Sequence, residues 1–378
     1  MPDIYTETVS RGFFSRLFGS IFGILLGPVL ILVAVALLWW NEGRAVQAIV
    51  GLNAAASSTV ELQDINPTPG NEGKLVHVVG PATAKATVVD SDLAVNFPDS
   101  VAVARKAEMY QWKEKKESST SNNLGGSQTT TTTYTYSEVW SDKAIDSSQF
   151  AHQEAHANPE MPLHSQLYLA SDAKLGGFTL DSATVTELDL GQSVTPDAPG
   201  GWTKNGDQLF KGDPASPKIG DLRVSYLALP TGATISVLAA QSQGGFAPFT
   251  TPNGYTIQLA AMGNRPTAVM IANKRHSESI LTWILRGVGT AAMVIGFAMF
   301  LGPISTIASV VPFLGGLVRG AAFFVSIVIG VPLSLVVIAL AWIGHRPLIG
   351  SGILVLAAAL FYGLWRLHAS RSPAPKPA

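Results

Sequence analysis

The chain has 378 residues, with 25 Lys and Arg against 26 Asp and Glu and no cysteine. That length exceeds what one compact domain usually needs, and the lack of cysteine excludes disulfides and thiolate metal sites. No long basic run appears, which argues against nucleic acid as a partner. The net charge of −1 hides a division: Asn41–Ile280 holds 24 of the acids and 17 of the Lys and Arg, a formal −7, and the remainder carries +6.

Residues 1–16 read as a short cytoplasmic N-terminus. From Leu17 to Trp40 there are 24 residues without a charge, enough to cross a hydrocarbon core that needs about 20 helical residues. A cleaved signal peptide would have a shorter apolar core of about 7–15 residues with small residues close behind. Ala54-Ala55-Ala56 lies too far on, so the segment reads as a retained anchor. Gly19, Gly23 and Gly27 recur every fourth residue and leave three bare patches on one helix face, where backbones can approach closely. The face either packs against other spans of the same chain or pairs two copies, and self-association is the sharper of the two readings. Trp39 and Trp40 suit the aromatic belt at the headgroup level. Asn41, Glu42, Gly43 and Arg44 follow at the membrane exit, where Glu42 or Arg44 is expected to contact the middle region or a neighbouring span and so form a docking joint.

The middle region, 41–280, reads as a β-rich α+β domain exposed to the periplasm or lumen. Runs such as KLVHVVG, DLRVSYLAL, ATISVLAA and YTIQLAAM are short, β-branched or aromatic, and bounded by Gly, Pro or Asn. Two stretches favour helix: Arg44–Ala56, continuing the first span outward, and roughly Ala183–Leu188. Glu108, Tyr110, Trp112 and Glu114 share one strand face by period two, and Tyr134, Tyr136, Glu138 and Trp140 share another. The two predict a hairpin with facing aromatics and a long polar tip between them. Tyr110, Trp112, Tyr134, Tyr136 and Trp140 are the candidate interaction surface, with cross-strand ladder packing the plainer reading. A weak echo between Gly73-Lys-Leu-Val-His-Val and Gly220-Asp-Leu-Arg-Val-Ser raises a two-lobed arrangement.

Chemistry is sparse. His152 and His156 stand four apart, with Glu154 between and His164 beyond, and on a helix such a pair can ligate zinc. HQEAH is not the His-Glu-x-x-His pattern, however, and Asn158-Pro159 suggests a turn. With no Gly-rich phosphate loop, nucleophile elbow or EF-hand loop, no catalytic, cofactor-binding or metal residues are assigned and no cofactor is expected.

Three further spans are expected over 281–303, 320–342 and 348–365, with an interfacial loop at 304–319 and a cytoplasmic tail from 366 to 378. The bias of Arg11, Arg16, Arg319, Arg366, Arg371 and Lys376 places both termini inside by the positive-inside rule, against Arg44, Lys274, Arg275, Arg286 and Arg346 outside. Apart from Arg286 near an end, no Lys, Arg, Asp or Glu lies within a span, which argues against a transport route.

The ordered series WNEGRAV (Trp40–Val46), EMYQWKE (Glu108–Glu114), Tyr134-x-Tyr136…Trp140…Ile145…Ser147-Ser148…Phe150, His156-x-Asn158-Pro159, GDLRVSY (Gly220–Tyr226), Pro248-Phe249-x-Thr251 and Trp342…Arg346-Pro347-Leu348 resembles the transmembrane protein 43 (LUMA) family and its bacterial relatives. The resemblance implies an integral membrane protein with a large lumenal domain. In eukaryotes it implies the endoplasmic reticulum and inner nuclear membrane, self-association, and lamins and emerin as partners. The Ala- and Gly-rich, Cys-free composition points to a bacterial member, for which lamins drop out and the inner membrane with a periplasmic domain is expected. The leading expectation is therefore a non-enzymatic scaffold that organises envelope or endomembrane complexes. Its partners would be the bilayer, further copies of itself and other membrane or envelope proteins. The alternatives are a periplasmic or lumenal ligand-binding or sensor module signalling through the anchor, and a metal enzyme using His152 and His156.

Overall fold

The computed structural model describes residues 3–123, 126–308, 312–343 and 347–369. Arg346, Arg371 and Lys376, used above for the charge bias, lie outside them. Two compact units divide the chain. One gathers Met1–Thr6, Val50–Glu117 and Thr133–Arg275; the other gathers Glu7–Ile49, Ser118–Thr132 and His276–Ala378.

The first unit is the β-rich region. In sequence order the chain begins with strand β1 (Asp3–Arg11), helix α1 (Phe13–Ser58), of which only the end from Val50 belongs to this unit, β2 (Val60–Glu61), β3 (Leu75–Thr83), β4 (Val88–Asp90), β5 (Val95–Phe97), β6 (Ser100–Asn122) and β7 (Gln128–Ser141). There follow β8 (Gln166–Leu169), β9 (Lys174–Leu175), β10 (Phe178–Thr179), helix α2 (Ser182–Thr186), β11 (Gln192–Val194), β12 (Thr203–Asn205) and β13 (Gln208–Lys211). The long strands β14 (Leu222–Pro230) and β15 (Thr234–Ser242) precede β16 (Gly245–Ala247), β17 (Phe249–Thr250), β18 (Thr256–Ile257) and β19 (Leu259–Met262). Residues 7–11 and 118–132 carry the outer ends of β1, β6 and β7 into the second unit.

One sheet runs β1-β7-β6-β14-β13-β12, with β8 on β6 and β11 on β14; the other runs β10-β9-β3-β15-β16, with β19 on β15 and β2 on β3. Period-two patterning explains why they face each other. Val224 and Tyr226 of β14 and Val101 and Val103 of β6 share one core with Val76 and Val78 of β3 and Ile235 and Val237 of β15. The echoing sequences thus start strands of different sheets, β3 and β14, that feed a single core. Helical ends complete the unit: Leu52 and Ala55 of α1 pack with Leu75, Leu238 and Ile257, and with Met270 and Ile271 of helix α3 (Thr267–Phe300). Gly51 is required there, because an added Cβ would lie 2.4 Å from Cβ of Tyr255.

The hairpin forms as expected, but its polar tip is mostly strand. β6 continues to Asn122 and β7 starts at Gln128. Threonines suit a pleated surface, and hydroxyls pair across it at Ser118–Thr132 (3.1 Å) and Thr120–Thr130 (3.4 Å). Asp3–Thr6 belong to the β-rich unit, with Tyr5 stacked on His152 at 4.1 Å.

The second unit is helical: the inner parts of α1 and α3, then α4 (Gly302–Ala308), α5 (Pro312–Ile343) and α6 (Pro347–Ala369). Among the described residues three helices are long and apolar enough to cross a membrane, α1, α3 and Gly316–Ile343 of α5, and α6 adds a shorter apolar stretch, Leu354–Arg366. Helix resumes at Pro312, inside the segment read as a loop.

A buried charge cluster lies in the first unit. Arg105, 2 % exposed, donates twice to the fully buried Asp90 at 2.7 Å and once to Asp92 at 2.7 Å. Its remaining donors reach the His164 carbonyl at 3.1 and 2.8 Å, and the Tyr226 hydroxyl donates to Asp90 at 2.8 Å. Burial works against the guanidinium charge, but the bonds to Asp92 and Asp90 outweigh it and raise the Arg105 pKa. Burial, followed by the Asp90 bond, pushes the Tyr226 phenol up. Removing one partner leaves the other as an uncompensated buried charge. Asp90→Ala is therefore expected to lower stability by about 3–5 kcal/mol, read as a lower unfolding midpoint of the full chain in detergent. Asp92→Ala, at the exposed end of the cluster, should cost much less.

Candidate functional site: a charge clasp between helices

The site grows from the WNEGR exit. On α1, Asn41 and Glu42 are fully buried, Gly43 is exposed, and Trp39 and Trp40 are 55 % and 58 % exposed. On α3, Glu278, Thr282 and Arg286 recur every fourth residue and so share one face. The two helices meet antiparallel, so the order of charges on one is matched by the reverse order on the other.

Glu42 accepts from Arg286 Nε at 2.6 Å and from Arg286 Nη2 at 2.8 Å, a two-pronged carboxylate–guanidinium pair. The indole N–H of Trp342, near the end of α5, donates to the same carboxylate. Arg44 pairs with Glu278 and donates to Thr282 Oγ1 at 3.0 Å. Asn41 Nδ2 donates to the Thr282 carbonyl at 3.1 Å. The Arg286 guanidinium also lies 4.7 Å over the Trp283 ring. Two rungs of opposite sign therefore join α1 to α3, and Trp342 keys α5 to the first of them.

Below the clasp the glycine face is occupied from within the chain. A Cβ on Gly23 would sit 2.8 Å from the Met299 carbonyl, and one on Gly27 would sit 2.6 Å from the Gly296 carbonyl. Gly19 meets nothing within 4 Å. Two of the three glycines thus serve the α1–α3 crossing and one stays open. Gly43 is also open, so its presence in the exit does not arise from close packing.

The histidines and the hairpin aromatics form one stacked cluster in the first unit. His156 is buried and stacks on Tyr136 at 3.7 Å. Its Nδ1 lies 2.9 Å from the His152 carbonyl and its Nε2 lies 3.4 Å from Asp3. Tyr136 donates to Glu114 at 2.5 Å, and burial first, then that bond, pushes its phenol up to about 12. Among the described residues no three His, Asp or Glu converge as a metal site, and His164 contributes only its carbonyl. Tyr134 and Tyr136, expected on an interaction surface, are buried by these rings. Tyr110, Trp112 and Trp140 remain partly exposed, with Tyr110 and Trp140 5.1 Å apart. Sequence reasoning missed the α3 half of the clasp, although the i, i+4 spacing of Glu278, Thr282 and Arg286 carried the signal.

A polar clasp within a bundle of apolar helices, on a chain that also carries a large β-rich region, defines a multi-pass integral membrane protein. The signature of the family described as transmembrane protein 43 matches residues 109–347. Human transmembrane protein 43 is 29 % identical over 353 residues, covering 89 % of this chain and 88 % of its own. The mouse protein is 28 % identical over 359 residues, 91 % and 89 % of the two chains, and the Drosophila melanogaster homolog is 28 % identical over 346 residues, 89 % and 92 %. The chain belongs to the transmembrane protein 43 family. No solved structure matches it.

Removing one member of a buried ion pair costs about 3–5 kcal/mol, whereas replacing both by apolar residues is often close to neutral. Glu42→Ala is expected to destabilise the chain on that scale, and Glu42→Leu combined with Arg286→Leu to recover most of the loss, read as unfolding midpoints in detergent. Gly43→Ala is expected to be neutral or to stabilise by up to about 1 kcal/mol, since it removes a helical glycine and its methyl meets no neighbour.

Proposed function

We propose that this chain is a non-enzymatic membrane-anchored scaffold that organises envelope or endomembrane protein complexes and associates with itself. The observation that supports it is how the helices use their charged groups. Glu42, Arg44, Glu278 and Arg286 bond one another across α1 and α3, which suits an anchor of fixed register rather than a route for ions. The β-rich region would then present its surface, including Tyr110, Trp112 and Trp140, to other membrane or envelope proteins. A bacterial member would work from the inner membrane with this region in the periplasm, a eukaryotic one from the endoplasmic reticulum or inner nuclear membrane.

The second reading, a ligand-binding sensor, draws on a cleft of about 450 Å³ lined by Ala56, Thr59, Glu61, Thr267, Ile271 and Arg275, where the outer parts of α1 and α3 approach. A ligand held there would touch both segments that lead to the membrane.

Crosslinking mass spectrometry in native membranes tests the scaffold. Peptides joined between two copies and to other membrane proteins are expected; a chain crosslinked only within itself would sink the proposal. Gly19→Leu should weaken the copy-to-copy crosslinks, because that glycine is the open one. Gly23→Leu and Gly27→Leu cannot make this test, since both disturb α3 of the same chain.

A further inference from the structure

Outside the clasp, His77 sits where both connections to the membrane helices meet the sheet. It lies on β3, is 4 % exposed, and is the register partner of Glu61 on β2, three residues beyond the end of α1. Its Nδ1 is 2.5 Å from Glu61 Oε2, and its Nε2 is 3.0 Å from the Arg265 carbonyl, two residues before α3. Glu61 Oε1 accepts from the Thr267 hydroxyl at 2.5 Å. The Arg265 amide donates to Ser236 Oγ at 2.8 Å, and Ser236 donates to the Gly263 carbonyl at 2.8 Å. One imidazole therefore joins the exit of α1, the entry of α3 and the central strand β3.

The state of the ring follows from that of Glu61. A carbonyl oxygen only accepts, so Nε2 must carry a hydrogen. Glu61 is an acceptor at both oxygens if it is ionised, and Nδ1 must then carry a hydrogen as well. Burial would raise the Glu61 pKa, but the bonds from Thr267 and His77 and the charge on His77 outweigh it and hold it below the usual carboxylate range. Among the described residues Glu61 of β2 is the charged side chain bonded to the ring. On the α3 side, Arg265 Nε donates to the Met262 carbonyl at 3.4 Å, and Arg275 lines the cleft beside Glu61 and donates to Asn53 at 2.8 Å. β15 offers Leu238 opposite His77 and the hydroxyl of Ser236.

We propose that His77 is a proton-dependent latch: as an imidazolium it holds the exit of α1 and the entry of α3 on the sheet, and loss of one ring proton releases one of them. The latch is closed while both ring nitrogens carry a hydrogen and opens when one is lost. At the acid extreme it fails for a different reason, when Glu61 takes a proton.

The test uses the full chain in nanodiscs with ¹⁵N-labelled histidine, the His77 signals being assigned by their absence in His77→Gln. Both ring nitrogens should show imidazolium shifts near pH 6, and a neutral ring there would overturn the proposal. Amide exchange over 60–62 and 263–268, corrected for its intrinsic pH dependence, should rise at least tenfold between pH 6 and pH 8.5 in the wild type. In His77→Gln, whose amide cannot donate to both acceptors or titrate, exchange should be fast and flat with pH. PH-independent protection in the wild type would overturn the latch even if His77→Gln failed to fold.

Discussion

A carboxylate that is fully buried among apolar helices has to be met by a donor, and that constraint organises the helical unit. Glu42 meets it with three donors, two from Arg286 and one from Trp342. Sliding α3 against α1 by one turn would leave both charges unpaired in a setting where each is expensive. The Gly27–Gly296 approach then follows from the register, because the crossing point must fall where neither helix carries a side chain. Non-directional apolar packing such as that of Ala34, Leu38, Met293 and Val337 could accept several registers; the ion pair accepts one.

The β-rich unit solves the same problem with different geometry. Its two sheets close on a largely apolar core that holds the Arg105–Asp90 pair, and there every donor of the guanidinium is used. A planar fork on a strand reaches two acids and a carbonyl at once, which a lysine ammonium could not match. The aromatic stack around His156 plays a comparable part at the other end of β6, binding the hairpin base to the segment 147–158 and to the first strand.

How much of this could be read from the residues depends on whether the partners are near in sequence. The spans, the outward run of α1, helix α2 and the aromatic hairpin all announce themselves through local period, because burial repeats along one face. WNEGR could be recognised as a joint, since polar residues of that kind are costly at a membrane exit unless they are used. Its partners could not, because Arg286 lies 244 residues away and looks like any snorkelling arginine. Arg105 and Asp90 were invisible for a related reason: nothing in a β-strand pattern distinguishes a core arginine from a surface one until strands pair. β1 escaped notice because DIYTETVSR has no apolar alternation, and the Thr-rich tip read as a loop because its ladder is built from hydroxyls.

The separation between Glu42 and Arg286 also has a consequence in time. A ribosome adding about 5–20 residues per second delivers α1 to the bilayer roughly 10–50 seconds before it completes α3. Throughout that interval the β-rich region is being made, and the nascent first helix holds a carboxylate with no guanidinium to answer it. The first helix must therefore be sheltered by the insertion machinery, or sit high enough for Glu42 to stay wet, and sink to its final depth only when α3 arrives. Assembly of the bundle is in that sense a late event, gated by synthesis of the domain it anchors.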